Sequence, residues 1–355
     1  MVKRVFLPPD KGVIAQHRQA GREVFLTLNV FGGRRAWEMF PDSVPVLADG
    51  RALADVANHG GVCPTHFGWR ADRLAKLADW AREFGGDSGI QGVWLDFVRY
   101  PGRWEQPQPD LPDTCYCPRC LDAFQKHSGL SLPAQLVTVG EKARWIKERA
   151  SYEWMVWKKE QISSFVRDAR AVLQENGGGR RLQLGVFLVP WRVSDFAGAL
   201  SFVLAQDARQ FAGYVDRLSP MVYHRMVGRN IDWVGEISRY YDEVKPGRVW
   251  PIIQAEDVGA EEFEQVLGEV GRSGAEEVLV YVYRSMQGHH WRALDGFVPQ
   301  QNLIGDPGFE TVGAREGRWT MGTGNGVSDT RFFHVPAGDG NGPAIGIQAG
   351  RDGQG

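Results

Sequence analysis

The stretch GVWLDFVRYP, residues 92–101, is the part of the sequence that says most about the fold. Its first half, GVWLDFV (92–98), is almost continuously apolar, which is typical of a parallel strand covered on both faces. One carboxylate, Asp96, interrupts this run close to its C-terminal end, and an aromatic, proline-rich loop follows. A buried strand that ends in a charge must place that charge where it has a use or a partner.

Similar apolar runs recur along the chain and alternate with amphipathic helical patterns. The other candidate strands are 2–8, a poorly defined segment around 60–66, and the runs 23–31, 182–189, 216–223, 248–255 and 276–283. The candidate helices are 69–84, 141–175, 196–214, 232–244 and 260–274. This alternation predicts an α/β fold with a parallel sheet. Because the chain has no dinucleotide-binding or Walker motif, we expect a (β/α)8 TIM barrel, which takes about 250 residues.

The C-terminal part of the chain differs in character from the rest. Residues 1–298 form the predicted barrel domain, and residues 299–355 form a short, glycine-rich, β-type tail. The tail resembles the start of a β-sandwich carbohydrate-binding module, in which a segment like NLIGDPGFE leads into a strand and a tryptophan, here Trp319. It is too short for a whole sandwich of about 100 residues.

Composition excludes some classes of partner. The net charge of −2 gives no basic bias toward nucleic acid or a membrane surface. No apolar run approaches the roughly 20 residues of a membrane span, and no signal peptide is visible, so the sequence predicts a cytoplasmic protein. The 13 tryptophans, several of them in predicted loops, suit stacking on sugars as well as ordinary core packing.

The position of Asp96 within its strand predicts where the side chain points. Asp96 shares the parity of Trp94, and alternate residues of a barrel strand face the interior. Barrel enzymes place their chemistry at the C-terminal ends of the strands, which is where Asp96 lies. The alternative is a structural aspartate paired with a neighbouring arginine or used as a cap.

A resemblance supports the catalytic interpretation. CPTHFGWR (63–70), a helix and then IQGVWLDFVRYP (90–101) resemble a large group of TIM-barrel glycoside hydrolases, in which a D-G-[IV]-x-[FL]-D-[DFY]-x-x-[YF]-P segment marks strand four. The resemblance covers about residues 20–295. It implies hydrolysis of a glycosidic bond in an oligo- or polysaccharide.

Glycoside hydrolysis usually needs two carboxyl groups. With Asp96 as nucleophile or stabilising carboxylate, the predicted acid/base is Glu256, which shares the parity of Gln254 after the seventh predicted strand. Glu105 is the main alternative and Asp257 a weaker one. We expect a retaining enzyme, whose carboxyl groups would lie about 5–5.5 Å apart.

Polar and aromatic residues at the other strand ends would complete a sugar-binding pocket. The predicted substrate-binding residues are Asn29, Arg99, Tyr100, Trp104, Glu105, Trp191, Tyr223, His224, Gln254 and Tyr283.

Three of the four cysteines form a C-x-C-x2-C cluster. Cys115, Cys117 and Cys120 follow strand four, and Cys63 precedes the helix before it, so the four thiolates could close a structural tetrahedral zinc site. This arrangement is similar to the zinc cluster of some family 42 β-galactosidases. The Asn-Glu pair that those enzymes carry at the end of strand four is Leu95-Asp96 here, so the likeness does not extend to their acid/base residue.

Other readings remain open at this point. The cysteines could instead form a disulfide involving Cys63 or stay as free buried thiols. The barrel could bind glycans without cleaving them. It could also be a zinc-dependent hydrolase, in which His59 and His66 would have to replace thiols as ligands.

Overall fold

A computed structural model of the chain describes residues 3–33, 35–54, 61–86 and 89–297, together with a strand at 345–347. Its larger sheet has five parallel strands, each hydrogen-bonded to the next in chain order. They are β1 (Arg4–Leu7), β2 (Glu23–Asn29), β3 (Gly92–Asp96), β4 (Gln183–Leu188) and β5 (Arg217–Pro220). The α/β class and its parallel sheet are thus as the sequence predicts.

A second, smaller sheet continues this arrangement. It contains the parallel pair β6 (Ile252–Gln254) and β7 (Val278–Tyr281), with β8 (Ile345–Ile347) antiparallel to β7. Two isolated parallel bridges, Leu218 to Val249 and Met221 to Ile252, link β5 to the β6 region. Among the described residues no strand pairing joins β1 to β7 or β8, so the hydrogen bonds show a curled sheet, without the eight-strand closure expected from the sequence.

The third strand expected around 60–66 is absent from the described residues 61–66. Only one antiparallel bridge, between Gly32 and Gly61, occurs there. The segment turns at Pro64 and leads directly into a helix, because the side chain of His66 accepts a hydrogen bond from the Trp69 N–H and caps that helix. The strand that carries Asp96 is therefore the third strand.

Eleven α-helices of the described chain cover the sheets. They are α1 (Lys11–Gln19), α2 (Arg35–Met39), α3 (Phe67–Phe84), α4 (Pro118–Ser128), α5 (Val139–Arg149), α6 (Ser151–Asn176), α7 (Ala199–Phe202), α8 (Ala208–Phe211), α9 (Asp232–Val244), α10 (Ala260–Gly271) and α11 (Gly288–Asp295). None of them combines the length and apolar character that crossing a bilayer requires.

Two of the predicted helices differ from those observed. The long pattern at 141–175 divides into α5 and α6, because Ala150 leaves the helical region at φ −145°. The pattern at 196–214 gives the short helices α7 and α8: positive φ angles of 49° and 55° at Phe196 and Ala197 delay the start, and a φ of 52° at Ala205 separates the two helices. The predictions at 69–84, 232–244 and 260–274 are confirmed by α3, α9 and α10.

The concave face of the sheet is filled by aromatic rings around Trp94. Its indole lies 4.8 Å from the ring of Phe25, 5.2 Å from Phe6 and 5.3 Å from Trp250, between ring centroids. On β4, Gly185 leaves room for this indole, since a Cβ there would lie 2.0 Å from Trp94 Cε2. This aromatic layer forms a floor beneath the C-terminal end of β3, where Asp96 lies.

Except for β8, which lies within it, the predicted tail at 299–355 is outside the described residues.

Candidate active site

Asp96 ends β3, and the backbone turns sharply after it. The next residue, Phe97, has φ +51°, a left-handed conformation that costs about 1–3 kcal/mol for a non-glycine residue. The turn brings the Phe97 N–H to 2.7 Å from Asp96 Oδ1, to which it donates a hydrogen bond. The strained turn therefore orients the carboxyl group.

Asn29 lies beside Asp96, because the two residues are register partners at the ends of β2 and β3. Its Oδ1 accepts a hydrogen bond of 2.9 Å from the Gly32 N–H. Gly32 has to be glycine here, since a Cβ would lie 2.5 Å from Phe97 Cγ and 2.9 Å from Asn29 Oδ1. Asn29, Gly32 and Phe97 thus form one packed support next to Asp96.

The pKa of Asp96 is raised to about 6. Burial of the carboxyl group is the largest cause, although the residue as a whole is only half-buried. The Phe97 N–H and the charge of Arg99 lower the pKa, and the charge of Glu105 raises it. A carboxyl group in this range can be protonated near neutral pH and can donate that proton.

Arg99 supplies positive charge close to Asp96 and Glu105. Its buried guanidinium donates to the backbone oxygens of Gly102 at 2.8 Å and Tyr100 at 3.3 Å. Burial lowers its pKa, and the charges of Glu105 and Asp96 oppose that effect. Arg99 therefore holds the loop and balances two carboxylates, and its described hydrogen bonds go to that loop.

An aromatic wall borders the carboxyl groups. Trp104 stacks on Tyr223 with ring centroids 5.8 Å apart, and Tyr223 stacks on Tyr281 at 5.1 Å. Burial raises the pKa of Tyr223, and the neighbouring Tyr281 ring and the charges of Asp96 and Glu105 raise it further. The predicted residues Trp104, Tyr223 and Glu105 are thus brought together with Asp96.

Tyr281 is the residue of this wall that sequence reasoning missed. It is the last residue of β7, and Asp96, Glu105 and Glu256 all act on its pKa, which burial raises. The signal was available, because Tyr281 has the same parity as the predicted Tyr283. Tyr283 instead lies in a 3-10 turn, with its ring 5.8 Å from that of Trp291.

Glu256 lies at the same mouth but is exposed. The charge of Glu105 raises the pKa of Asp96, and the charges of Glu105 and Glu256 both raise the pKa of Tyr281. Asp257, the weaker alternative, is also exposed and has φ +58°. The carboxyl group that the structure couples to Asp96 is therefore Glu105.

Gln254 and His224 are committed to neighbouring protein groups. Gln254 accepts from the Met226 N–H at 3.0 Å and donates to the Glu256 backbone oxygen at 2.8 Å, so its amide ties two loops together. His224 Nε2 lies 2.8 Å from Glu262 Oε1, beside a cleft of about 1100 Å³ between the loop after β5 and α10. That cleft does not include Asp96 among its lining residues.

Trp191 lies in the loop after β4. Its ring packs 4.5 Å from that of Phe196, and its backbone oxygen accepts a hydrogen bond of 3.0 Å from the Tyr241 hydroxyl. These contacts anchor the loop to α9.

The four cysteines converge, as the sequence predicts. All of them are buried, and their sulfur atoms lie within 4.8 Å of one another. Cys63 Sγ is 3.4 Å from Cys120 Sγ and 3.8 Å from Cys117 Sγ. These separations exceed a disulfide bond of about 2.05 Å and approach the roughly 3.8 Å between thiolates that share a tetrahedral zinc.

The four thiols of the cluster act on one another's protonation. Hydrogen bonds from the Cys115, Cys120 and Cys63 thiols lower the pKa of Cys117, which favours its thiolate, whereas the pKa of Cys115 is raised chiefly by its hydrogen bond with Cys117 and that of Cys120 chiefly by burial. Tyr100 lies next to the cluster. Burial is the largest cause of its raised pKa, and the charges of all four cysteine thiolates raise it further. Tyr100 is completely buried there, so the position supports packing of the cysteine loop more than contact with a ligand at Asp96.

His66, the described histidine of the zinc-hydrolase alternative, is occupied elsewhere. Its Nδ1 accepts from the Trp69 N–H at 3.0 Å, and its Nε2 lies 3.0 Å from Asp42 Oδ1. His59 lies outside the described residues. The metal-ligating group found in the described chain consists of the four cysteines alone, which leaves no open position for a catalytic water.

No sequence-family model and no curated protein matches the chain. Among solved structures it is similar to the PgaB (BpsB) glycoside hydrolase domain from Bordetella bronchiseptica, with a TM-score of 0.60 and 15% identity over 82% of each chain. It is also similar to a β-galactosidase from the Antarctic haloarchaeon Halorubrum lacusprofundi (TM-score 0.55, 12% identity, 81% of this chain and 49% of that chain).

A third similar structure is a catalytic mutant of Gan42B, a GH42 β-galactosidase from G. stearothermophilus, with a TM-score of 0.54 and 15% identity over 77% of this chain and 44% of that chain. The chain spans less than half the length of these two β-galactosidases. At such identities the likenesses show a shared fold, and these three structures are a glycoside hydrolase domain and two β-galactosidases.

Proposed function

We propose that this chain is a glycoside hydrolase that acts on an oligo- or polysaccharide. The observation that carries the proposal is the carboxyl group of Asp96, whose pKa is raised to about 6 beside Glu105 and the wall of Trp104, Tyr223 and Tyr281. A proton donor next to a second carboxylate and stacking rings is what cleavage of a glycosidic bond requires. The fold shared with glycoside hydrolases supports the same assignment.

Asp96 acts as the general acid and protonates the oxygen of the leaving sugar. This role replaces the nucleophile role expected from the sequence, because a carboxyl group with a raised pKa is suited to donate a proton. Glu105 is the second carboxylate and, in the retaining course, attacks the anomeric carbon while Asp96 protonates the leaving group. Water then releases the sugar with Asp96 as the base. Glu256, the second carboxyl group expected from the sequence, becomes a binding residue at the rim.

The two sheets together would form one barrel wall. The Arg4 guanidinium on β1 pairs with Glu277, the residue before β7, so the first and seventh strands approach each other. The same guanidinium lies 4.7 Å from the centre of the Trp250 ring, which belongs to the aromatic floor. A closed barrel with Asp96 at its C-terminal mouth is the arrangement in which barrel enzymes place their chemistry.

The cysteine cluster would hold a structural zinc ion. Cys63, Cys115, Cys117 and Cys120 would be its four ligands, and the metal would cross-link residue 63 to the loop that follows β3. That loop also carries Trp104 and Glu105, so the cross-link would steady the residues that border Asp96. This role contains no step in the reaction.

The test is a screen of aryl glycosides and polysaccharides, with release of reducing ends as the readout. The account expects at least one substrate to be cleaved by the wild type and left intact by Asp96→Asn. Proton NMR of the first product would show retention of the anomeric configuration if Glu105 is a nucleophile, and inversion would remove that role. Saturable sugar binding without cleavage by the wild type would favour a glycan-binding protein instead.

A further inference from the structure

A second cleft, of about 430 Å³, lies at the opposite ends of the strands from Asp96. Arg181 precedes β4, Arg217 begins β5 and Arg248 precedes β6, so the cleft opens at the N-terminal ends of these three strands. Its charged lining residues are Arg170, Arg181, Arg217, Lys245, Arg248 and Asp216. Five cations therefore face one carboxylate in a chain whose net charge is −2.

The single carboxylate is already fully engaged. Asp216 Oδ1 accepts from Arg181 Nη2 at 2.7 Å, and its Oδ2 accepts from the Leu184 N–H at 2.8 Å and from Arg170. Burial opposes ionisation of Asp216, but the Leu184 N–H and the Arg170 guanidinium lower its pKa overall. Asp216 is thus held by Arg170 and Arg181, and its single negative charge offsets only one of the five positive charges that line the cleft.

The other three cations of the cleft keep donor capacity. Lys245 Nζ donates to a neutral group, the Ala212 backbone oxygen, at 2.7 Å. Arg217 Nη1 donates to the Asp216 backbone oxygen at 3.0 Å and its Nη2 is 3.9 Å from Glu276 Oε2, so its unused donor is the buried Nε, which has no hydrogen-bond partner among the described residues. Arg248 is exposed, and its guanidinium makes no ion pair with the part of the chain that is described.

The cations also lie close enough to repel one another. Burial lowers the pKa of Lys245, Asp216 opposes this, and the charges of Arg248, Arg217 and Arg170 lower it further. Burial lowers the pKa of Arg217 as well, and Arg248 is the next cause. A bound anion would remove this repulsion, because each cation would then have an opposite charge at short range.

We propose that this cleft binds a tetrahedral dianion, the phosphate group of inorganic phosphate or of a phosphate ester, through Arg248, Arg217 and Lys245. Guanidinium groups match phosphate oxygens with paired hydrogen bonds, and an ammonium group adds a point charge. The volume of about 430 Å³ is within the range of small-molecule sites, so it can hold an ester as well as the free ion. The site does not depend on the proposed glycosidase activity.

The experiment is isothermal titration calorimetry of the full chain with inorganic phosphate, in a zwitterionic buffer at constant ionic strength. We expect saturable binding of one phosphate, no comparable binding of chloride, and at least a tenfold weaker affinity in Arg248→Gln. Arg144→Gln, an exposed arginine on α5, is the matched control and should bind as the wild type does. Phosphate binding no tighter than chloride, or equal affinity in Arg248→Gln, overturns the proposal.

Two further arms make the outcome specific. Lys245→Gln should also weaken binding, and the melting temperature of each variant without phosphate shows that it is folded. A hexose 6-phosphate titrated in parallel assigns the source: tighter binding than phosphate indicates an ester, and equal or weaker binding indicates the free ion. If neither ligand binds a folded wild-type chain, the site does not exist.

Discussion

Tyr223 stacks on Tyr281 with ring centroids 5.1 Å apart and the ring planes at 26°. Tyr223 follows β5 and Tyr281 ends β7, so this contact joins two separated parts of the chain at the mouth of the sheet. Trp104, from the loop after β3, also stacks on Tyr223. Residues after β3, after β5 and at the end of β7 thus bring three aromatic rings together near Asp96 and Glu105.

Replacing the most exposed of these rings should weaken substrate binding. Tyr281 is partly exposed, whereas Trp104 and Tyr223 are buried, so we expect a sugar ring to contact Tyr281 first. A lost stacking contact of about 0.5–1.5 kcal/mol corresponds to a KM raised roughly 2- to 13-fold in Tyr281→Ala, with a smaller change in kcat. Tyr283→Ala is the control, and the same KM increase in that variant would argue against the wall.

The raised pKa of Asp96 should make the protein less stable above about pH 6. The folded carboxyl group, at about 6, holds its proton more tightly than the unfolded one at 3.8, so stability falls as the pH rises between these values. Because Asp96 is half-buried, the cost is at most about 3 kcal/mol. We expect Asp96→Asn to be the more stable protein at pH 8 and to lose less stability between pH 4 and pH 7.

Urea unfolding at each pH measures this effect. Glu256→Gln, at the exposed carboxyl group of the same mouth, should follow the wild-type pH dependence. If Asp96→Asn follows it too, the burial of Asp96 has no energetic consequence.

Removal of the Glu105 charge should make Asp96 a stronger acid. Glu105 raises the pKa of Asp96 by charge repulsion, so Glu105→Gln should shift the titration of Asp96 to lower pH. Carbon-detected NMR of the labelled side-chain carboxyl group can measure this directly, without a substrate. A larger shift in Glu256→Gln than in Glu105→Gln would make Glu256 the partner of Asp96, as first expected from the sequence.

Loss of one cysteine should remove the metal and destabilise the loop after β3. We expect about one zinc per chain by elemental analysis of the wild type and much less in Cys120→Ser, whose melting temperature should also fall. Treatment of the wild type with a chelator should reproduce the lower melting temperature. If the wild-type chain is expressed in zinc-supplemented medium and still contains no metal after purification, the four cysteines are free thiols instead.

Much of the fold follows from local patterns in the sequence. Continuous apolar runs locate β2 and β3, and the 3.6-residue pattern locates α3, α9 and α10. The parity of Trp94 and Asp96 places the aspartate above a layer of aromatic rings, because side-chain direction in a strand is a local property.

Other features depend on which distant segments meet, and local patterns do not contain that information. The left-handed turn at Phe97 sends Tyr100 toward the cysteines, although it follows Asp96 by only four positions. The sequence around Gln254 does not indicate that its side-chain oxygen accepts a hydrogen bond from the Met226 N–H. The parity of Tyr281 with Tyr283 is visible in the sequence, but the stacking of Tyr281 on Tyr223 is not.

The most direct test of the account is the rate of reducing-end release by the wild type and Asp96→Asn, on the same polysaccharide, from pH 4 to pH 9. The account predicts wild-type activity that declines above about pH 6 as Asp96 loses its proton, and a rate at least about 100-fold lower in Asp96→Asn. A folded Asp96→Asn protein that cleaves the polysaccharide at the wild-type rate would contradict it.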